Sequence, residues 1–273
     1  MGGSIHKKRL ITSNMASIRK FIFHDLRTID GYIDPPDALV FLSILESQRQ
    51  RDLKGGIAEI GVFFGRSYFL IKKIAAPEEK VLAIDLFDLG NQSDGVPTQY
   101  QQFIDNGTRL GLTVDEDLVI VGDSTKLAAN DIVDKVGELR FFSIDGGHML
   151  SHVTADSHLA EGSLAKHGVI AFDDTFNPAW PEVTVGVADF LRESQQYSAF
   201  CMTKYKTYVC RNEFHADYLA AIADAPHLQA FDHVETEFLG AKVVRLHDPL
   251  PRRILHEIVN RLGLSAFSER VYR

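Results

Sequence analysis

Between Ile57 and Gln195 the chain alternates short, wholly apolar runs with longer segments of helical spacing, and no other feature constrains its fold so tightly. The runs Ile57–Val62, Val81–Ile84, Leu118–Val121, Leu139–Ile144 and Val169–Phe172 lack the in–out alternation of a half-exposed strand. Ser67–Ala76, Thr98–Leu110, Lys126–Val136, Ser151–Lys166 and Glu182–Gln195 read as the helices between them. Apolar strands joined by helical crossovers predict an α/β fold, a doubly wound and mainly parallel sheet covered on both faces. Beyond Gln195 the pattern changes. Ala199–Thr203 and Thr207–Cys210 can pair around Lys204-Tyr205-Lys206, which predicts an antiparallel C-terminal edge. A helix over Phe214–Ala223, a second hairpin from Val234–Leu239 and Lys242–Leu246, and a terminal helix over Arg252–Leu262 follow. Upstream, Asp34-Pro35-Pro36 opens a helix carrying Leu39, Leu42 and Leu45, since proline suits the first helical turn. The chain thus divides into an N-terminal arm and helical extension (1–54), a ligand-binding core (55–212) and a C-terminal extension (213–273). The first residues, up to about position 15, read as a loose arm.

Composition narrows the function. A net charge of −8 argues against a nucleic-acid binder, which needs a basic surface. The two cysteines, Cys201 and Cys210, have neither disulfide-scaffold nor zinc-ligand spacing; they read as reduced thiols of a cytoplasmic protein. No apolar run approaches the ~18 residues of a membrane span. The basic run Lys7-Lys8-Arg9 is not followed by a signal-peptide core, because Asn14, Ser17, Arg19 and Lys20 interrupt it. The expected partner is a small-molecule or glycan acceptor, with no nucleic acid and no membrane span. Association of copies into a homo-oligomer stays open.

The turn Glu59-Ile60-Gly61-Val62-Phe63-Phe64-Gly65-Arg66-Ser67 joins the first strand to the first crossover helix. Gly61 and Gly65 either let a ligand approach the backbone or serve only the turn. The free N–H groups of the following helix suit a nucleotide-like ligand at the carboxyl end of the sheet. The spacing is neither the GxGxxG of dinucleotide binders nor a P-loop. Asp85, ending the second strand, lies about 20 residues past the turn, the interval of a ribose-binding acid; the alternative is a surface turn. Asp123 and Ser124, after the third strand, either reach an adenine amino group or cap the next helix.

The fourth strand ends in Asp145-Gly146-Gly147-His148 and the fifth in Asp173-Asp174. Neighbouring strands bring Asp145, Asp173 and Asp174 to one rim. Clustered carboxylates repel unless protonated or bridged, and oxygen ligands suit Mg²⁺ or another divalent cation of that kind. The alternative is a capped loop before Pro178. His148 is placed to remove a hydroxyl proton or to serve as a hydrogen-bonding surface residue. The other histidines of this region, His152, His158 and His167, are expected on helix surfaces. Trp180 either lines a substrate pocket or pins its loop.

Together, residues from about Ile57 to Leu191 resemble the class I S-adenosylmethionine-dependent methyltransferases, which have a Rossmann-like fold. More narrowly, they resemble the metal-dependent O-methyltransferases of macrolide sugars, of the tylosin and mycinamicin type. The resemblance implies that Glu59, Gly61, Gly65 and Ser67 hold the methionine part of S-adenosylmethionine, that Asp85 holds its ribose, and that Asp123 lies beside its adenine. It further implies magnesium ligands at Asp145, Asp173 and Asp174, and a catalytic base at His148. The implied acceptor is a sugar hydroxyl in glycan or natural-product biosynthesis, with a catechol-type diol as the alternative. A catalytically silent cofactor-binding protein and an NAD(P)-dependent oxidoreductase are the other competing functions. The wrong glycine spacing and the lack of a Tyr-x-x-x-Lys pair disfavour the oxidoreductase.

Overall fold

The computed structural model describes residues 17–89 and 97–272; the expected arm over about the first 15 residues lies outside them. Residues 17–23 are helical, and a 3-10 turn at Asp25–Thr28 leads to helix α1 (Pro35–Gln50), which starts at the proline pair as expected. Leu39, Val40, Phe41 and Leu42 of α1 are all fully buried, so this helix belongs to the core. Phe41 packs edge-on against Phe141 of the sheet, with ring centroids 5.0 Å apart.

Strands and helices then alternate: β1 (Gly56–Ile60), α2 (Arg66–Ile74), β2 (Val81–Asp85), α3 (Gln99–Arg109), β3 (Val119–Val121), α4 (Ala129–Val136), β4 (Leu139–Ile144), α5 (Leu150–Ser163), β5 (Leu164–Phe172) and α6 (Pro181–Glu193). The hairpin β6 (Tyr197–Met202) and β7 (Thr207–Arg211), helix α7 (His215–Ala223), the hairpin β8 (Asp232–Phe238) and β9 (Ala241–His247), helix α8 (Leu250–Arg261) and the short helix α9 (Ser265–Ser268) follow. The strands form a single sheet in the order β3-β2-β1-β4-β5-β7-β6-β9-β8. β1 to β5 run parallel to one another. β7 runs antiparallel to both β5 and β6. This is the doubly wound sheet with an antiparallel edge that the strand pattern predicts.

Two details differ from the sequence reading. The helix expected to reach Lys166 stops at Ser163, and β5 begins at once at Leu164. Leu164 already pairs with Leu139, and a register shift between Leu139 and Phe141 absorbs the extra residues. The C-terminal hairpin also extends the main sheet, because β9 adds in parallel to β6 through Cys201↔Val244. Among the described residues no helix is long and apolar enough to cross a membrane.

The order reverses at β1, where β2 lies on one side and β4 on the other. Such a switch point leaves a crevice beyond the carboxyl ends of the strands, and the acidic loops open onto it.

Candidate active site

A cavity of about 900 Å³ occupies this crevice. The turn after β1 (Gly61, Phe63, Ser67), Asp85 after β2 and the Asp123-Ser124 loop after β3 line one part. Asp145 and His148 after β4, Asp173, Asp174 and Trp180 after β5, and Lys206 before β7 line the other.

The two glycines of the β1–α2 turn serve packing. Gly61 has φ +79°, and a Cβ there would stand 1.8 Å from the Asp145 carbonyl oxygen. The loop after β4 thus lies directly on the β1 turn, fixed by the Asp145 N–H donating to the Ile60 carbonyl at 2.9 Å. Gly65, φ +96°, faces the core: a Cβ would meet the Phe69 ring at 2.3 Å and Phe103 at 2.9 Å. Gly65 does not line the cavity, which corrects its expected contact with a cofactor. Aromatic packing under the turn, not ligand approach, requires a glycine there.

Glu59, beneath this turn, is fully buried. Its Oε1 accepts from the Ser143 hydroxyl at 3.0 Å, whereas its Oε2 has no partner among the described residues. Burial pushes its carboxyl up to about 7, against the opposing pull of the Ser143 hydrogen bond. Asp85 clamps the neighbouring loops. Its Oδ2 accepts from the Phe63 N–H at 2.8 Å and its Oδ1 from the Phe87 N–H at 2.8 Å and Gln99 Nε2 at 3.2 Å. Phe63 and Phe87 both have positive φ, 51° and 50°, a costly backbone state for bulky residues that the carboxylate helps to hold. Asp123 caps the short 3-10 turn Ser124–Lys126 by accepting from the Thr125 N–H at 3.1 Å. Ser124 lies inside that turn and caps nothing; it lines the cavity instead.

Asp145, His148 and Asp174 converge, with one ligand atom from each lying within 4.8 Å of the others. His148 Nε2 is 2.9 Å from Asp174 Oδ2 and 3.8 Å from Asp145 Oδ1. Trp180, half-exposed, stacks on the imidazole at 4.3 Å and 19°. It therefore lines the site and fixes the plane of His148. Asp174 has φ +55°, and Asn177 Nδ2 donates to its Oδ1 at 2.6 Å. Burial would raise the Asp174 carboxyl, but the hydrogen bonds from His148 and Asn177 outweigh it and hold the group below its usual range.

Asp173 lies against Asp145 but is turned to another partner and is not one of the three convergent groups. Its Oδ1 accepts from the Asp174 N–H at 2.8 Å, and its Oδ2 is held in a short ion pair by Lys206 Nζ. The expected cluster of Asp145, Asp173 and Asp174 is corrected to that extent. The ammonium of a buried lysine already neutralises Asp173, and His148 stands in the place expected for it. Burial alone would lower the Lys206 ammonium; Asp173, Asp145 and Asp37 together hold it above its usual value. Burial and the nearby Asp173 drive the Asp145 carboxyl well up. The closest basic partner of Asp145 among the described residues is His148, at 3.8 Å. An acidic pair open on one side, beside an imidazole, fits a divalent cation.

Lys206 was missed as a functional residue because, in sequence, it is only the end of a hairpin turn. The signal lies in strand pairing: Phe172 pairs with Thr207, which sets the following Asp173 beside the preceding Lys206. His152 was also misplaced. It lines the cavity from the first turn of α5, four residues beyond His148, and its Nδ1 is buried without a partner among the described residues. His167 lies on β5, not on a helix, and bonds the Lys54 carbonyl at 2.8 Å.

Residues 58–175 match the family model of a methyltransferase domain. Comparison with curated proteins finds no match. Among solved structures, the O-methyltransferase NovP is 14% identical, with TM-score 0.52, covering 63% of this chain and 77% of that one. The TDP-rhamnose 3'-O-methyltransferase CalS11 of calicheamicin biosynthesis is 19% identical, with TM-score 0.48, covering 63% and 78%. An O-methyltransferase from Bacillus cereus, in complex with S-adenosylhomocysteine, is 16% identical, with TM-score 0.45, covering 74% and 87%. The family match lies over the strands that build the crevice, so residues 58–175 are similar in sequence to a methyltransferase domain, and the sheet order gives them the Rossmann-like fold.

Proposed function

We propose that the chain transfers the methyl group of S-adenosylmethionine to a sugar hydroxyl of a small-molecule or glycan acceptor, with the help of a divalent cation. One observation carries the reading: Asp145, His148 and Asp174 meet within 4.8 Å on the wall of the same cavity that receives the β1–α2 turn. Bound S-adenosylmethionine supplies an electrophilic methyl group. Glu59, with its unpartnered Oε2, suits the ammonium of the methionine part. Gly61 and Ser67 shape that end of the cavity, Asp85 suits the ribose, and the Asp123-Ser124 loop suits the adenine.

A hydroxyl is a poor nucleophile until it loses its proton. His148 is the group that removes it. Asp174, 2.9 Å from Nε2, orients the ring and stabilises the imidazolium that forms. Trp180 keeps the imidazole from rotating away. Asp145 and Asp174 would hold a divalent cation, which would lower the pKa of a bound hydroxyl, while Lys206 keeps Asp173 neutralised beside them. Lys206 also keeps the carboxylates together before any cation arrives.

The test is methyl transfer from S-adenosylmethionine to panels of sugars and catechols, with Mg²⁺ and with excess chelator. The reading expects turnover on sugars that the chelator abolishes. Turnover unaffected by chelator removes the cation from the reading, and turnover on catechols alone replaces the sugar.

A further inference from the structure

A second cavity, of about 1100 Å³, lies beside the first and is built largely from the N- and C-terminal extensions. Ile33, Asp34 and Arg66 line both cavities, so the two meet there. Phe23, Leu26, Phe176 and Phe238 give the second one an apolar wall. Arg27 and Arg66 share its junction end. Arg66 is the first residue of α2, and its Nε donates to the Ile29 carbonyl at 2.7 Å, so its guanidinium is held in place.

Neither arginine has an ion pair among the described residues. Partial desolvation lowers the basicity of the otherwise exposed Arg27. Arg66 is lowered by burial first and by Arg27 second; Asp30 and Tyr32 pull the other way without reversing the shift. Of the acids of this cavity, Asp248 accepts from Tyr272 at 2.9 Å and Glu257 pairs with Arg261 at 2.5 Å, while Asp34 and Glu237 also line it. Two guanidinium groups that repel each other across one end of a cavity, neither held in an ion pair among the described residues, suit an incoming anion. The guanidinium fork matches the paired oxygens of a phosphate or carboxylate.

We infer that Arg27 and Arg66 form an oxyanion site for the acceptor, whose phosphate or carboxylate they grip while its hydroxyl reaches His148. The inference rests on the methyltransferase reading of the first cavity. The cofactor's own carboxylate is the rival occupant. Arg27 argues against it, because that residue lines only the second cavity.

The experiment is a calorimetric titration of the full chain saturated with S-adenosylhomocysteine, using uridine diphosphate and D-glucuronate as separate probes. Wild type should bind at least one of them. Arg27→Gln should weaken that binding by about tenfold or more, and Arg27→Gln with Arg66→Gln should abolish it, each charge-assisted bond being worth about that much. Binding of uridine diphosphate alone assigns a diphosphate, and binding of glucuronate alone assigns a carboxylate. Arg27 is exposed, so its substitution should not disturb folding, which S-adenosylhomocysteine affinity monitors in the same samples. Wild type that binds neither probe, or variants that bind as well as wild type, would overturn the site. So would an equal loss of S-adenosylhomocysteine affinity in Arg27→Gln, which would give the arginines to the cofactor. Wild type that binds no S-adenosylhomocysteine would instead count against the underlying methyltransferase reading.

Discussion

The Lys206 ammonium sits on the Asp173 carboxylate because antiparallel pairing of β7 with β5 puts Thr207 opposite Phe172. Both side chains are largely buried, at 4% and 12% exposure, so neither charge has water to replace its partner. Breaking a buried pair from one side costs roughly 3–5 kcal/mol. Lys206→Met should lower unfolding stability in urea by about that amount, and Lys206→Met with Asp173→Asn should recover at least half of it. A single-variant loss below about 1 kcal/mol would show that the pair does not hold the site together.

Gly61 is the most constrained position of the β1–α2 turn. Gly61→Ala places a Cβ into the Asp145 carbonyl and leaves alanine at φ +79°. Strain and overpacking each cost about 1–3 kcal/mol. The variant should therefore lose stability and S-adenosylhomocysteine binding together, because the β4 loop must move. Gly65→Val should act through Phe69 and Phe103, showing a fall in Tm at least as clear as its loss of ligand affinity. A Gly61→Ala protein with wild-type Tm would contradict this contact.

Glu59 gives a pH dependence with a defined sign. Its folded-state carboxyl is raised by burial to about 7, above an unfolded value near 4.3. The stability tied to its protonated form is fully present below the unfolded value and is lost as pH rises through about 7. Glu59→Gln should therefore stabilise the apoprotein above that range, by up to about 3 kcal/mol. Ligand binding runs the other way. A ligand ammonium needs the carboxylate, so S-adenosylhomocysteine affinity should rise as pH climbs from 6 to 8, with proton release seen by calorimetry in buffers of different ionisation heat. The Gln variant should show neither effect; an unchanged pH profile in it would remove Glu59 from the ligand.

The acidic rim separates into two roles that substitutions can tell apart. Asp174→Asn should weaken Mg²⁺ binding and turnover together. His148→Ala should cut turnover about 10²-fold or more and weaken Mg²⁺ binding far less, since the carboxylates carry the charge. If His148→Ala abolishes Mg²⁺ binding while Asp174→Asn does not, the imidazole is a ligand and not the base.

Much of this was legible in the sequence, for reasons that differ by residue. The order of β1 to β5 follows from apolar runs and helical crossovers, and a doubly wound sheet then sends Asp85, Asp145, Asp173 and Asp174 to one rim. His148 was singled out by its loop alone. Lys206 was not legible, because its role depends on which strand β7 joins, and a long-range antiparallel pairing leaves no local pattern. Gly65 misled because a glycine at a ligand-binding turn and a glycine under an aromatic stack look alike until Phe69 and Phe103 are in place. Asp123 stays on the rim, but Thr125 and Lys126 already engage its oxygens. The second cavity was invisible because it forms only where the two extensions meet.

The most direct test of the whole account is a calorimetric titration of the full chain with S-adenosylhomocysteine, with NAD(P)H titrated in parallel. The β1–α2 turn and Asp85 on one cavity, with the Glu59 carboxyl buried beneath the turn, predict one site per chain with a Kd near the micromolar range, about 8 kcal/mol, and no heat with the nicotinamide nucleotide. No binding of S-adenosylhomocysteine, with saturable binding of NAD(P)H, would contradict it.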